Sequence, residues 1–339
     1  MKKNLLFFSL IIIFSTQLYA QLTIDTSAHL ESNPGIYSLL VSQNDHVIYQ
    51  RYFKQYNANT LFSDQSLTKS ICSLLIGIAI NKGYLTSVDE KLVDIFPELK
   101  NDTDKRKQSI TIRQVMNQAS GLYHEDLKSM LGIYNFLKLP DPSGYVLKAP
   151  LVTEPGKEWH YNNAASHLLS AIITKVTHMD TKTFATKYLF TPLNITKIEW
   201  ARMQDGYYDG SGLKSISLQS ADLLKIGSLL LHGGVYDHIQ IVPKKWVKLI
   251  FNPDVFYNAD WGFKNSTYAL CYYHTTYKGT QITYGMGWGG QFMIIIPSLN
   301  AVIVANENIA DANAVKQSIA FTTRIFPAIF HELDKSEKP

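Results

Sequence analysis

Apolar and polar positions alternate early in the chain, where residues 36–41 and 46–53 form two strand-like runs around Gln43, Asn44 and Asp45, the pattern of a hairpin. The pattern changes at Ser66. Ile71, Leu74, Leu75 and Ile78 recur at helical spacing while Ile76 and Ile80 fill the other side, which predicts a helix apolar nearly all round and therefore buried. Gly83 is a good residue to end it. The long stretch that follows reads as mostly helical and irregular, punctuated at Pro97, Gly121, Asp141-Pro142 and Pro155-Gly156, with a helical run over 164–176. Residues 217–232 form an amphipathic helical pattern closed by Gly233-Gly234. Strand composition returns at 268–274, 281–284, 292–296 and 301–305, and 314–329 closes the chain as a helix.

Strands at both ends with helices between them predict an α/β chain of the α+β kind. One antiparallel sheet is built from the two chain ends and flanked by helices, with a helical domain inserted. The expected boundaries are residues 21–62 plus 215–339 for the sheet domain and 63–214 for the mainly helical domain, with the active site between them.

Composition narrows the function classes. Of 339 residues, 46% are hydrophobic and 18% charged, an ordinary globular balance. The formal charge of +4 includes Lys2 and Lys3, so the remaining surface is close to neutral and lacks the basic footprint of a nucleic-acid binder. Lys2 and Lys3, the apolar run from Leu5 to Phe14, and Ala20 before Gln21 read as a signal peptide over residues 1–20. The run is short for a spanning helix, which needs about 20 residues. The expectation is an exported protein, periplasmic or secreted, with no stable membrane anchor. Two cysteines, Cys72 and Cys271, are too few for a disulfide scaffold and sit in apolar or strand-like surroundings. Both are expected as buried small hydrophobes, with a disulfide between them as the alternative.

Three local features carry chemistry. Ser66-Leu67-Thr68-Lys69 opens the buried helix, and residues three apart share a face, so the hydroxyl and amine can meet. A serine needs a base to become nucleophilic, and burial favours the neutral lysine that could serve. Taken alone, the pattern also fits an N-cap serine followed by a surface lysine. Tyr161-Asn162-Asn163 follows an aromatic turn; a phenol near a lysine can move protons, and Asn163 can position the lysine and donate to a substrate carbonyl. Third, Tyr284-Gly285-Met286-Gly287-Trp288-Gly289-Gly290-Gln291 runs straight into a strand. Its glycines satisfy a dinucleotide-binding spacing, but that motif opens a helix, so the reading fails. Glycines beside a strand mark close approach of backbone or ligand.

These three motifs, in this order, resemble the serine β-lactamase-like hydrolases, a family that includes class C β-lactamases, D-alanyl-D-alanine carboxypeptidases, carboxylesterases and 6-aminohexanoate-dimer hydrolases. Segments 66–85, 110–122, 155–173 and 212–247 are also similar to the family. The resemblance implies a β-lactamase/transpeptidase-like fold with Ser66 as nucleophile, Lys69 as general base and Tyr161 assisting proton transfer. It implies substrate contact through Asn163 and an oxyanion hole from the N–H groups of Ser66 and Gln291, at the edge formed by Trp288, Gly289 and Gly290. Penicillin-recognising members carry Lys-Thr-Gly where this chain has Trp288-Gly289-Gly290. An indole has one N–H and no charge, which removes a carboxylate anchor.

The expected function is therefore hydrolysis of an ester or amide through an acyl-enzyme on Ser66, acting on a small ester, amide or short peptide without a cofactor or metal. Alternatives are a D-alanyl-D-alanine carboxypeptidase or β-lactamase and, further off, a non-catalytic cell-wall or peptide-binding module. Lys278-Gly279-Thr280 has the wrong order for the Lys-Thr-Gly motif and reads as a hairpin turn. His124-Glu125-Asp126 lacks zinc-ligand spacing and is expected in a solvated loop near the cleft mouth. His160 either packs or tunes Tyr161. No Gly-x-Ser-x-Gly elbow is present, which argues against an α/β-hydrolase.

Overall fold

The computed structural model describes residues 33, 35–125, 130–259, 261–310 and 313–336. The expected signal peptide and Asp126 lie outside the described residues. Eight antiparallel strands form the main sheet in the order His46–Tyr52, Ile36–Gln43, Ala301–Glu307, Gln291–Ile296, Thr280–Gly287, Tyr272–Tyr277, Thr267–Ala269, Tyr257–Asn258. Strands from the two parts of the chain thus lie side by side, second and third in the sheet. Leu39 stands opposite Ala305, and Ile294 opposite Ile303.

Alternation along the strands sorts side chains between two cores. Leu40, Met293, Ile295, Val302 and Val304 face a large core shared with the helices. Leu39, Val41, Ile294, Ile296 and Ile303 face the terminal helices through Phe321, Ile325, Phe326 and Ile329. Gln291–Ile296 is buried at every position, which explains the unbroken apolar run from Phe292 to Ile296. Full burial of each such aliphatic side chain contributes roughly 1.5–3 kcal/mol. The helix Ser220–Leu231 lies on the first face, and at Gly227 a Cβ would come within 2.4 Å of Val302. The sequence pattern starts this helix at 217. Residues Ile216–Leu218 instead form the middle strand of a small sheet with Phe62–Ser63 and Glu199–Trp200, because their main chain is needed to pair the segment leading into Ser66.

Thr68–Asn81 is the expected buried helix. It ends as the sequence suggests: Gly83 takes φ 77°, and the Tyr84 N–H closes back on the Ala79 carbonyl at 2.9 Å. The closing helix runs as Ala314–Ala320 and Phe326–Ser336, joined by a wider turn over Phe321–Ile325. Lys278 and Gly279, at φ 49° and 82°, make the tight turn of a hairpin that pairs Tyr277 with Thr280. Among the described residues, no helix is long and apolar enough to cross a membrane.

Candidate active site

Ser66 sits in a short 3-10 turn, Gln65–Leu67, immediately before the buried helix. The small sheet anchors the approach, with the Asp64 N–H on the Ile216 carbonyl at 2.9 Å and the Ile216 N–H on Thr68 Oγ1 at 3.0 Å. Gln65 is held at φ 51°, a sparsely populated region for this residue type, and its side chain donates to Ser63 Oγ at 2.6 Å. One turn on, Lys69 is 1% exposed. Its Nζ meets Ser66 Oγ at 3.1 Å, Asn163 Oδ1 at 2.6 Å and the Ser211 carbonyl.

Tyr161 and Asn163 come from the start of the helix Asn163–Thr177. Asn162 is the N-cap, accepting the Ala165 N–H at 2.7 Å, and its own amide donates to the Leu122 and Tyr123 carbonyls. This cap sets Asn163 in the first turn, facing Lys69, and leaves Tyr161 just outside the helix. The Lys69 Nζ lies 4.9 Å from the centre of the Tyr161 ring. Trp261 stacks on the same ring at 5.3 Å with an interplanar angle of 15°.

The glycine-rich strand closes the third side. Its partner strand Tyr272–Tyr277 reaches only as far as the Tyr273–Tyr284 pair, while Gly285 to Gly287 stay paired on the other edge with Met293 to Gln291. A Cβ at Gly287 would stand 2.3 Å from the Asp64 carbonyl oxygen, and one at Gly285 2.9 Å from Ser70 Oγ. Glycine is needed at both because the strand runs directly against the serine turn. Gly289 and Gly290 take φ 82° and 98° in the hairpin turn, and Trp288 is 48% exposed. Gln291 stands across from Gly287, and its side chain is absorbed by the sheet, donating to the Glu307 carbonyl at 2.8 Å and accepting from Asn306. The unpaired strand edge beside the serine turn is therefore 285–287, one strand nearer to Ser66 than Gln291.

A family model described as Beta-lactamase matches residues 27–321. The chain belongs to the beta-lactamase family. Among solved structures, the family fold is shared with a Bacillus anthracis protein provisionally assigned as a 6-aminohexanoate-dimer hydrolase (TM-score 0.74, 18% identity, 90% of this chain and 81% of that one). It is shared as well with a D-stereospecific amidohydrolase from Streptomyces sp. (TM-score 0.64, 15% identity, 87% of this chain and 95% of that one). Protein flp of Staphylococcus aureus strain N315 is 28% identical over 172 residues, 48% of this chain. The match spans about a third of the length of that curated relative, 34%.

Four residues in or around the site carry no local sequence signal. Glu125, expected in a solvated loop, is fully buried and accepts the N–H groups of Asn163 at 3.3 Å and Ala164 at 3.0 Å. The first turn of a helix needs acceptors and favours negative charge, which draws this carboxylate inside. Burial raises its pKa, against hydrogen bonds from its own and the Ala164 main chain and from the Asn163 side chain and against the pull of Lys69. Asp209 is also fully buried and gathers the N–H groups of Ser211, Lys214 and Ser215 at 2.7–2.9 Å. It thereby shapes the loop that offers the Ser211 carbonyl to Lys69 and lays Gly212 against the backbone of Gln65 and Ser66. Ser211 and Trp261 are the remaining two.

His160 turns away to stack on His124 at 5.4 Å and approach Glu158 at 3.2 Å. Cys72 and Cys271 are both free and buried. Among the described residues, no three His, Cys, Asp or Glu side chains group closely enough to hold a metal ion.

Proposed function

We propose that the protein is a serine hydrolase that cleaves ester or amide bonds through an acyl-enzyme on Ser66. The observation that carries this reading is the arrangement around Lys69. A neutral amine has two N–H bonds and one lone pair. Asn163 Oδ1 and the Ser211 carbonyl can each take an N–H, which leaves the lone pair for the hydroxyl proton of Ser66 at 3.1 Å.

In this reading Ser66 Oγ attacks the substrate carbonyl as its proton passes to Lys69. The resulting oxyanion is held by main-chain N–H groups of Ser66 and of the open 285–287 edge, to which the second donor moves from Gln291. Tyr161, beside the Lys69 charge, gives a proton to the departing alcohol or amine. Water then gives a proton to the Tyr161 phenolate as it attacks the acyl carbonyl, and Lys69 returns its proton to Ser66 Oγ as the acid departs. Asn163 holds Lys69 and, with its amide nitrogen, the substrate carbonyl. The Trp288-Gly289-Gly290 turn supplies no cation for a substrate carboxylate, which favours uncharged esters and amides over β-lactams and peptide C-termini.

A fluorophosphonate probe followed by mass spectrometry tests the first claim: the label is expected on Ser66 and absent from Ser66→Ala. Folded protein with an unlabelled Ser66 would overturn it. Short p-nitrophenyl esters are expected to turn over faster than nitrocefin, and the reverse order would shift the assignment to β-lactam hydrolysis.

A further inference from the structure

Beside the groups assigned to the chemistry stands an exposed aromatic, Trp261, that takes no part in the proposed reaction. Trp261 is 40% exposed while stacking on Tyr161 at 5.3 Å. Its main chain is fixed: its N–H donates to the Ala259 carbonyl at 2.8 Å, and its carbonyl accepts from the Tyr284 hydroxyl at 2.5 Å. The next residue, Gly262, at φ 77°, lies so close to the glycine-rich strand that a Cβ would approach Met286 Sδ to 2.9 Å. The segment is tied along the turn that leads into Tyr161, with the Tyr257 hydroxyl donating to the Gly156 carbonyl at 2.8 Å. A rigid mounting that leaves a large indole half in water is unfavourable for stability alone, since an exposed aromatic forgoes its burial.

We propose that Trp261 forms a leaving-group subsite for a flat, uncharged aromatic substituent, such as the benzyl group of a benzyl ester. This rests on the reading above, in which Tyr161 protonates the departing group. The atom that receives that proton must lie at the phenol, so the substituent it carries extends over or beside the indole stacked on that phenol. An aryl group there gains stacking and removes indole surface from water; a short alkyl group reaches little of it. A charged substituent would lose hydration against the same surface and gain no partner from it.

The test compares benzyl acetate with ethyl acetate on the full chain, on Trp261→Ala and on Trp261→Phe. Both esters give the same acyl-enzyme, so deacylation is common to them and the ratio of their kcat/KM values reports binding and acylation, in which only the alcohol side differs. The wild type is expected to favour the benzyl ester. Trp261→Ala should lower that preference roughly tenfold and Trp261→Phe should restore most of it. The ratio of ethyl phenylacetate to ethyl acetate, which varies the acyl side, should stay unchanged in both variants. An unchanged benzyl-to-ethyl ratio in Trp261→Ala, or an equal fall for both esters, overturns the subsite while leaving the hydrolase intact. Ser66 that accepts the fluorophosphonate while the protein turns over neither acetate also overturns it. No turnover together with no label on Ser66 means that the underlying hydrolase reading has failed.

Discussion

Lys69 Nζ and Asn163 Oδ1, 94 residues apart in the chain, lie 2.6 Å apart in the fold. That bond joins the starts of two helices and aims one amine at one hydroxyl. Lys69→Ala is expected to slow fluorophosphonate labelling of Ser66 by about 10²–10⁴-fold, the usual contribution of a positioned base. Asn163→Ala, which frees the amine without removing it, should cost about one to two orders of magnitude. Wild-type labelling rates in Lys69→Ala would show that another group activates the serine.

Asp209 touches neither Ser66 nor Lys69 in this arrangement, yet the loop that contacts both is folded around its carboxylate. Hydrogen bonds to a charged acceptor contribute about 1.5–3 kcal/mol each, and losses within one network are not additive. Asp209→Asn should therefore lower stability in urea by roughly 3 kcal/mol and slow labelling of Ser66. Full stability with full labelling would mean that the loop holds its shape without that charge.

Glu307 predicts a pH dependence. Burial pushes its carboxyl up to about 8, with the Asn33 amide pulling weakly the other way. A carboxyl with a raised folded pKa binds its proton more tightly in the folded state. Its stabilising contribution is complete at pH values below the ordinary glutamate range near 4.3, and is lost as pH rises from there through about 8. Each pH unit between those two values corresponds to about 1.4 kcal/mol, so the loss amounts to several kcal/mol at most. Glu307→Gln should flatten the decline in thermal stability between about pH 5 and pH 8, as followed by calorimetry. An identical slope in the variant would remove Glu307 as its source.

The cysteines give a direct chemical readout. Burial pushes the Cys271 thiol up to about 12, and that of Cys72 higher still, with Lys69 opposing both. Neither is expected to react with a thiol reagent until the protein unfolds, and both should react then. Intact mass under non-reducing conditions should be that of the dithiol. A mass short by two hydrogens would show a disulfide instead.

Legibility in the sequence followed the range of the interactions. Residues 292–296 read as a strand because burial on both faces leaves a continuous apolar run, and 36–41 with 46–53 read as a hairpin because the turn between them is local. Ser66 and Lys69 were legible together because helical spacing alone puts them on one face. Glu125 was misread as solvated because nothing in His124-Glu125-Asp126 reveals that a helix start lies against it from 38 and 39 residues away. Residues 217 and 218 were misread as helix for a similar reason. Their pairing partners, Phe62–Ser63 and Glu199–Trp200, are distant in sequence, and the demand for main-chain pairing outweighs the local amphipathic pattern.

By itself, the order of residues determined which segments would bury and with what period, where the turns fall, and that a hydroxyl and an amine share one helical face. These follow from steric and solvation preferences acting over a few neighbouring positions. Only the tertiary structure decided that Asn163 and the Ser211 carbonyl occupy two positions around Lys69, that Asp209 shapes the loop behind them, and that Trp261 lies on Tyr161. Such contacts arise where separately folded segments pack, and their directions depend on how those segments are oriented to one another, which no local pattern encodes.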